Sequence, residues 1–163
     1  MSLITNLSLC INWTLTKVLD LSSPRDAQNL VRGPSFTSGS GANQADSIWH
    51  DVRSLADAGT ETVDLTAQTD PLGTAITMTK LKALYIKNKS ADAGLIVGGA
   101  AATPVAILVG ATDTLKILPG GEFLWTAPNA DGLTITTNKN LKLAHDGTGS
   151  SSLDYEIIAV GVD

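Results

Sequence analysis

Between Leu7 and Thr16 apolar and polar residues take strict turns. Leu7, Leu9, Ile11, Trp13 and Leu15 alternate with Ser8, Cys10, Asn12, Thr14 and Thr16. Successive side chains on a strand point to opposite faces, so a period of two gathers all five apolar residues on one side. A helix would scatter them around its circumference. The segment is expected to be a strand whose apolar face, Trp13 included, turns into a core.

Further strands are expected along the chain. Leu81–Asn88 carries apolar residues on both faces, Leu81, Ala83 and Tyr85 on one and Leu84 and Ile86 on the other, which suits a central strand. Short apolar runs at 76–79, 95–97, 105–109, 115–118, 123–126, 133–137 and 141–145 lie between turn residues such as Asp70-Pro71-Leu72-Gly73, Pro119-Gly120-Gly121, Asp131-Gly132 and Asp146-Gly147. The last run covers 154–162. Residues 46–56 read two ways. Ile48, Trp49, Val52 and Leu55 sit at helical spacing, but Glu61–Ala67 alternates and the Asp57-Ala58-Gly59 link has hairpin length, so a hairpin is favoured.

Eight to ten short strands with no long helix predict an all-β chain, an antiparallel β-sandwich forming one domain over 1–163. The segment 22–45, rich in Ser, Gly, Asn and Pro, is long for a structureless loop. Either it holds a short strand near Leu30–Phe36, or it is an arm that orders against a neighbour.

Composition narrows the function classes. Hydrophobic residues make up 43% and charged residues 17%, which favours a packed core over a disordered coil. Net charge is −5, which disfavours binding to a phosphate backbone; no nucleic-acid partner is expected. The densest basic cluster, Lys80, Lys82, Lys87 and Lys89, reads as the solvated ends of one strand. No apolar run is long enough for a membrane-spanning helix, and no secretion signal is expected, so synthesis in the cytoplasm is inferred. Cys10 is alone and has no basic neighbour in sequence to activate it.

A search for chemistry returns no catalytic, cofactor-binding or metal-binding residues. His50 and His145 are the two histidines, and neither belongs to a metal-binding spacing. His50 reads as a polar residue flanking its strand and His145 as a strand end. Gly39-Ser40-Gly41 lacks the rest of a phosphate loop. Asp92, Asp113, Asp131 and Asp146 are candidates for a surface cation, but none sits in a calcium-loop spacing. Trp49 and Trp125 are candidates for stacking on a sugar, whereas Trp13 is expected in the core.

Leu84-Tyr85-Ile86-Lys87-Asn88, Leu118-Pro119-Gly120-Gly121-Glu122-Phe123, Leu141-Lys142-Leu143 and Tyr155–Gly161 together resemble small virion structural proteins of tailed bacteriophages, as does 49–65 with Asp70–Gly73. The resemblance covers about two thirds of the chain and rests on turn-and-strand patterns. It implies a jelly-roll-like sandwich with no enzymatic activity and no cofactor. The implied role is capsid decoration or stabilisation, with a neck or tail component as the nearby option. The expected partners are further copies of itself, as a trimer, and other virion proteins such as the major capsid protein. The expected location is the virion, assembled in the host bacterial cytoplasm. A carbohydrate-binding β-sandwich module is the alternative.

Overall fold

The computed structural model describes every residue except Met1, Ala101 and Ser150. The described residues form strands and turns with no helix. In chain order the strands are β1 (Thr5–Asn6), β2 (Leu9–Thr16), β3 (Arg25–Arg32), β4 (Ser35–Phe36), β5 (Ser47–Leu55), β6 (Thr60–Asp64), β7 (Gln68–Thr69), β8 (Ala75–Ile76), β9 (Lys80–Asn88), β10 (Leu95–Gly98), β11 (Thr114–Ile117), β12 (Glu122–Thr126), β13 (Leu133–Thr134), β14 (Asn140–His145) and β15 (Leu153–Val162).

Two antiparallel sheets make the body. One runs β12-β9-β15-β5, with β13 also pairing β9; the other runs β11-β10-β14-β6. Numbering the eight longer body strands in chain order gives sheet orders 6-3-8-1 and 5-4-7-2. That is the double-sheet jelly roll, in which most connections cross between sheets. The expected β-sandwich is therefore present. The core between the sheets is built from alternate residues of each strand, among them Leu84 and Ile86 of β9, Tyr155 and Ile157 of β15, Val97 of β10 and Leu141 and Leu143 of β14.

Three expectations need correction. Residues 47–55 and 60–64 are strands, but not a hairpin: β5 pairs β15 and β6 pairs β14 in the opposite sheet. The short link arches across the sandwich, because partners far along the chain claim both strands. The run 105–109 forms turns: Thr103 takes a positive φ, Pro104 has no N–H to give a ladder, and Val105 instead tucks in through its N–H to the Asn140 carbonyl.

Lys82 is the third. It is fully buried rather than solvated. The register between β15 and β9 steps from Val160↔Ala83 to Gly161↔Leu81 and passes over Lys82. This bulge brings Leu81 into the core beside Leu84 and leaves Lys82 as the extra residue.

The N-terminal segment is separate from the sandwich core. β1 pairs β4, and Phe36 and Ala45 pack with Ala83 and Val160 on the outer face of the five-stranded sheet. Among the described residues β2 and β3 pair only with each other.

Candidate interaction surface

Every residue from Ser8 to Asn29 is exposed. Of the strand expected over Leu7–Thr16, Leu9–Thr16 forms β2, but its apolar face is not in a core: Trp13 is 41% exposed and Leu15 70%. The projecting arm is thus the β2–β3 hairpin, Leu9 to Arg32. It begins earlier than the expected 22–45, and the later part of that stretch, from Ser35 to Ala45, folds back on the body. The stretch does hold strand, but over Arg25–Arg32 and Ser35–Phe36 rather than as one strand near Leu30–Phe36.

The pairing register shows how the arm is faced. Leu9 lies opposite Arg32, Ile11 opposite Leu30, Trp13 opposite Gln28 and Leu15 opposite Asp26. Directly paired residues share a face, so Leu9, Ile11, Trp13, Leu15 and Leu30 form one apolar stripe. The indole N–H of Trp13 donates to Asp26 at 2.9 Å, which satisfies its polar edge within the arm. At the tip Leu19 N–H bonds the Ser22 carbonyl, and Leu21 is fully exposed. An isolated two-stranded ribbon is marginal in water, and an exposed apolar stripe on one makes it a candidate contact surface.

A second apolar surface lies beside the arm's root. On the outer face of the five-stranded sheet Leu124, Tyr85, Ile158 and His50 fall in one row across four strands. The next row, Thr126, Ala83, Val160 and Ile48, runs beneath the N-terminal segment. The row on the other side is Glu122, Lys87, Glu156 and Val52. It is charged, with Lys87 paired to Glu122 at 2.9 Å and Lys89 to Glu156 at 3.0 Å. Leu7, Leu9, Ile48, Tyr85, Leu124 and Ile158 line a groove of about 580 Å³ over these rows. Lys87 and the Tyr85 hydroxyl hold the Glu122 carboxyl below its ordinary range, while burial and Glu122 push the Tyr85 phenol up. The border of the groove therefore stays ionised near neutral pH.

Most of the other residues singled out from sequence serve the fold. Trp49 is buried, with the Arg53 guanidinium 5.4 Å from its ring centre, and Trp125 packs half-buried on the core. Neither offers an open ring to a sugar. His50 is exposed on β5. His145 ends β14 with a buried side chain; its Nδ1 accepts from Gly147 N–H at 3.0 Å and its Nε2 faces the Ser151 carbonyl at 3.1 Å. Asp92 accepts from Ser90 and Ser151, Asp113 caps Gly110, and Asp146 binds Lys116 and Thr148. Asp131 is exposed just before Gly132. Among the described residues no three His, Cys, Asp or Glu converge as a metal site. Cys10 is exposed on the arm. No described helix is long and apolar enough to cross a membrane.

Sequence reasoning missed Lys82. Its ammonium donates to the carbonyls of Gly41 (3.4 Å), Ala130 (2.9 Å) and Asn129, tying the returning N-terminal segment to the loop after β12. Burial lowers its pKa, with the Lys80 charge adding to that. Gly41 belongs to the Gly39-Ser40-Gly41 turn, which Gln44 closes by accepting from Gly41 N–H at 2.8 Å. The bulge that buries the lysine has no local sequence signal.

No family model and no curated protein matches this chain. Among solved structures, IMPa from Pseudomonas aeruginosa in complex with an O-glycopeptide is similar over 75% of this chain and 13% of that one, at 11% identity and a TM-score of 0.34. A likeness this distant says nothing about what the chain does.

Proposed function

We propose that this chain is a non-enzymatic structural component that assembles with copies of itself, with its β2–β3 arm as the contact. The observation that carries this reading is the arm: a projecting hairpin with an apolar stripe and every residue from Ser8 to Asn29 exposed. Eight of the fourteen large exposed hydrophobics lie between Leu9 and Val31, so the unburied apolar surface is concentrated where the chain leaves its body. A jelly-roll body with an extended arm suits a particle subunit, since rigid sandwiches are common in capsids and arms bridge neighbours. The sequence resemblance supplies the setting: a tailed bacteriophage virion, in capsid decoration or stabilisation, with the major capsid protein as a further partner.

Light scattering across a concentration series tests the assembly. A defined oligomer, a trimer, is the expected result. A monomer at high concentration overturns the reading.

One observation favours a second reading. Trp13 is exposed beside Asn12, Gln28 and Asn29 around a shallow depression, and an aromatic ring among amides is a surface on which a sugar stacks. A carbohydrate-binding module would show Trp13 fluorescence quenched by oligosaccharides without any change in mass. Emission that shifts with protein concentration and ignores a glycan panel removes it.

A further inference from the structure

We infer that the groove over Leu124, Tyr85 and Ile158 is the seat for the β2–β3 arm of a second copy of this chain. This rests on the self-assembly reading above and adds the acceptor to it.

Each chain carries both halves of the contact and leaves both open. The donor stripe is Ile11, Trp13, Leu15 and Leu30. The acceptor is the Leu124–Tyr85–Ile158 row with Ile48 and the exposed Val52 beside it. The chain's own arm does not fill the groove beyond its root at Leu7 and Leu9, since residues from Ser8 to Asn29 are exposed.

Size agrees with this occupant. Eight residues at ~3.3 Å each make a strand of ~26 Å, and two strands make a ribbon about 10 Å wide. One arm face is then roughly 260 Å² of flat area, and a seated arm hides about twice that. In a ring each chain makes two such contacts, one through its arm and one through its groove, and together they hide on the order of 1,000 Å². An arm given to one neighbour, with another received in return, closes a symmetric ring.

Charge agrees as well. Residues 1–45 carry Lys17, Arg25 and Arg32 against Asp20 and Asp26, a net +1, which leaves −6 on the remainder. Among the described residues none of Lys17, Arg25 and Arg32 has a carboxylate within ion-pair distance. The groove's border row is mixed, with Glu122 paired to Lys87 and Glu156 to Lys89, so the attraction comes from the body's net charge rather than from this row. A weakly basic ribbon approaching an acidic body is steered towards it.

The test uses two full-length variants, Trp13→Glu on the arm and Leu124→Glu in the groove. Both side chains are exposed, so each variant is expected to fold, and circular dichroism checks this; Trp13→Ser and Leu124→Ser replace them if a glutamate disturbs folding. Sedimentation should show each variant alone with a dissociation constant raised at least tenfold. Mixing the two should restore a one-to-one pair, because one supplies an intact arm and the other an intact groove. A groove variant that keeps the parent mass, or two monomeric variants that stay apart when mixed, overturns this inference while leaving arm-mediated assembly standing. An arm variant that keeps the parent mass overturns the underlying reading instead.

Discussion

The Trp13 indole N–H and the Asp26 carboxylate meet at 2.9 Å across the two strands of the arm. The bond joins residues two positions apart in register and leaves the side chain 41% exposed. Burying an indole with its N–H unpaired costs ~1–3 kcal/mol. Asp26→Ala is therefore expected to weaken self-association about five- to a hundred-and-fifty-fold. The melting temperature of the dilute protein should hold within the shift of ~0.5 kcal/mol usual for surface changes. Sedimentation and thermal melting on the same samples separate the two effects.

Lys82 makes a different kind of contact. An ammonium has three donors, and three carbonyls, those of Gly41, Asn129 and Ala130, surround this one. Lys82→Met keeps the stem but strands the carbonyls, so a loss of ~1–3 kcal/mol is expected. For a chain of this length that lowers the melting temperature by roughly 2–4 °C per kcal/mol. Lys82→Arg should not rescue it, since a planar fork cannot reach three converging oxygens as an ammonium does. Differential scanning calorimetry of the three proteins gives the comparison.

The strands were legible because a period of two is local. The alternation from Leu9 to Leu15 marks a strand whatever surrounds it. What covers the apolar side is not local. The same pattern suits a core and an arm awaiting a neighbour, and only the arrangement of the rest of the chain separates them. The β5–β6 link shows the same limit: Gly59 permits a hairpin, while β15 and β14, far along the chain, decide that none forms. Lys82 was hidden for a third reason, since its burial follows from one residue of slippage against Val160 and Gly161. The acceptor groove left a trace in the apolar residues on both faces of β9. Tyr85 on the outer side reads as central-strand burial until the open face beside it is known.

Acid should act on the end of the sandwich where Asp146 sits. Its side chain is 4% exposed, with Lys116 Nζ at 2.6 Å and the Thr148 hydroxyl at 2.6 Å. Lys116 first, then Thr148, hold its carboxyl far below the ordinary range against the opposing effect of burial. At Asp64, burial pulls the other way but Lys139 and Thr66 outweigh it, so this carboxyl is also lowered. A depressed carboxyl adds stability above its unfolded value of about 3.9 and loses it as pH falls from there towards the folded value. The melting temperature should therefore hold from pH 7 to about 5 and fall steeply below about 4. Asp146→Asn should melt lower than the parent at pH 7 and show a shallower decline in acid. Parallel curves for the two proteins would remove Asp146 as a cause.

Gly33 sets the angle at which the arm leaves the body. Its φ is +152°, and a Cβ there would stand 1.9 Å from the Leu7 carbonyl oxygen and 2.7 Å from its carbon. Both are backbone atoms, so no side chain can swing away to make room. Next to this crossing, Leu7 N–H bonds the Pro34 carbonyl at 3.0 Å. Gly33→Ala must open that crossing and redirect β2 and β3 together, at a cost of ~1–3 kcal/mol in local strain. The body's core lies elsewhere, so its melting should change far less than the arm's order does. Trypsin reads the difference, because Lys17, Arg25 and Arg32 all lie in the arm. The parent at assembling concentration should resist cleavage there and lose that resistance on dilution. Gly33→Ala should be cut at both concentrations, since an arm that leaves at the wrong angle reaches no neighbour. Equal protection of the variant and the parent would show that the crossing at Leu7 does not aim the arm.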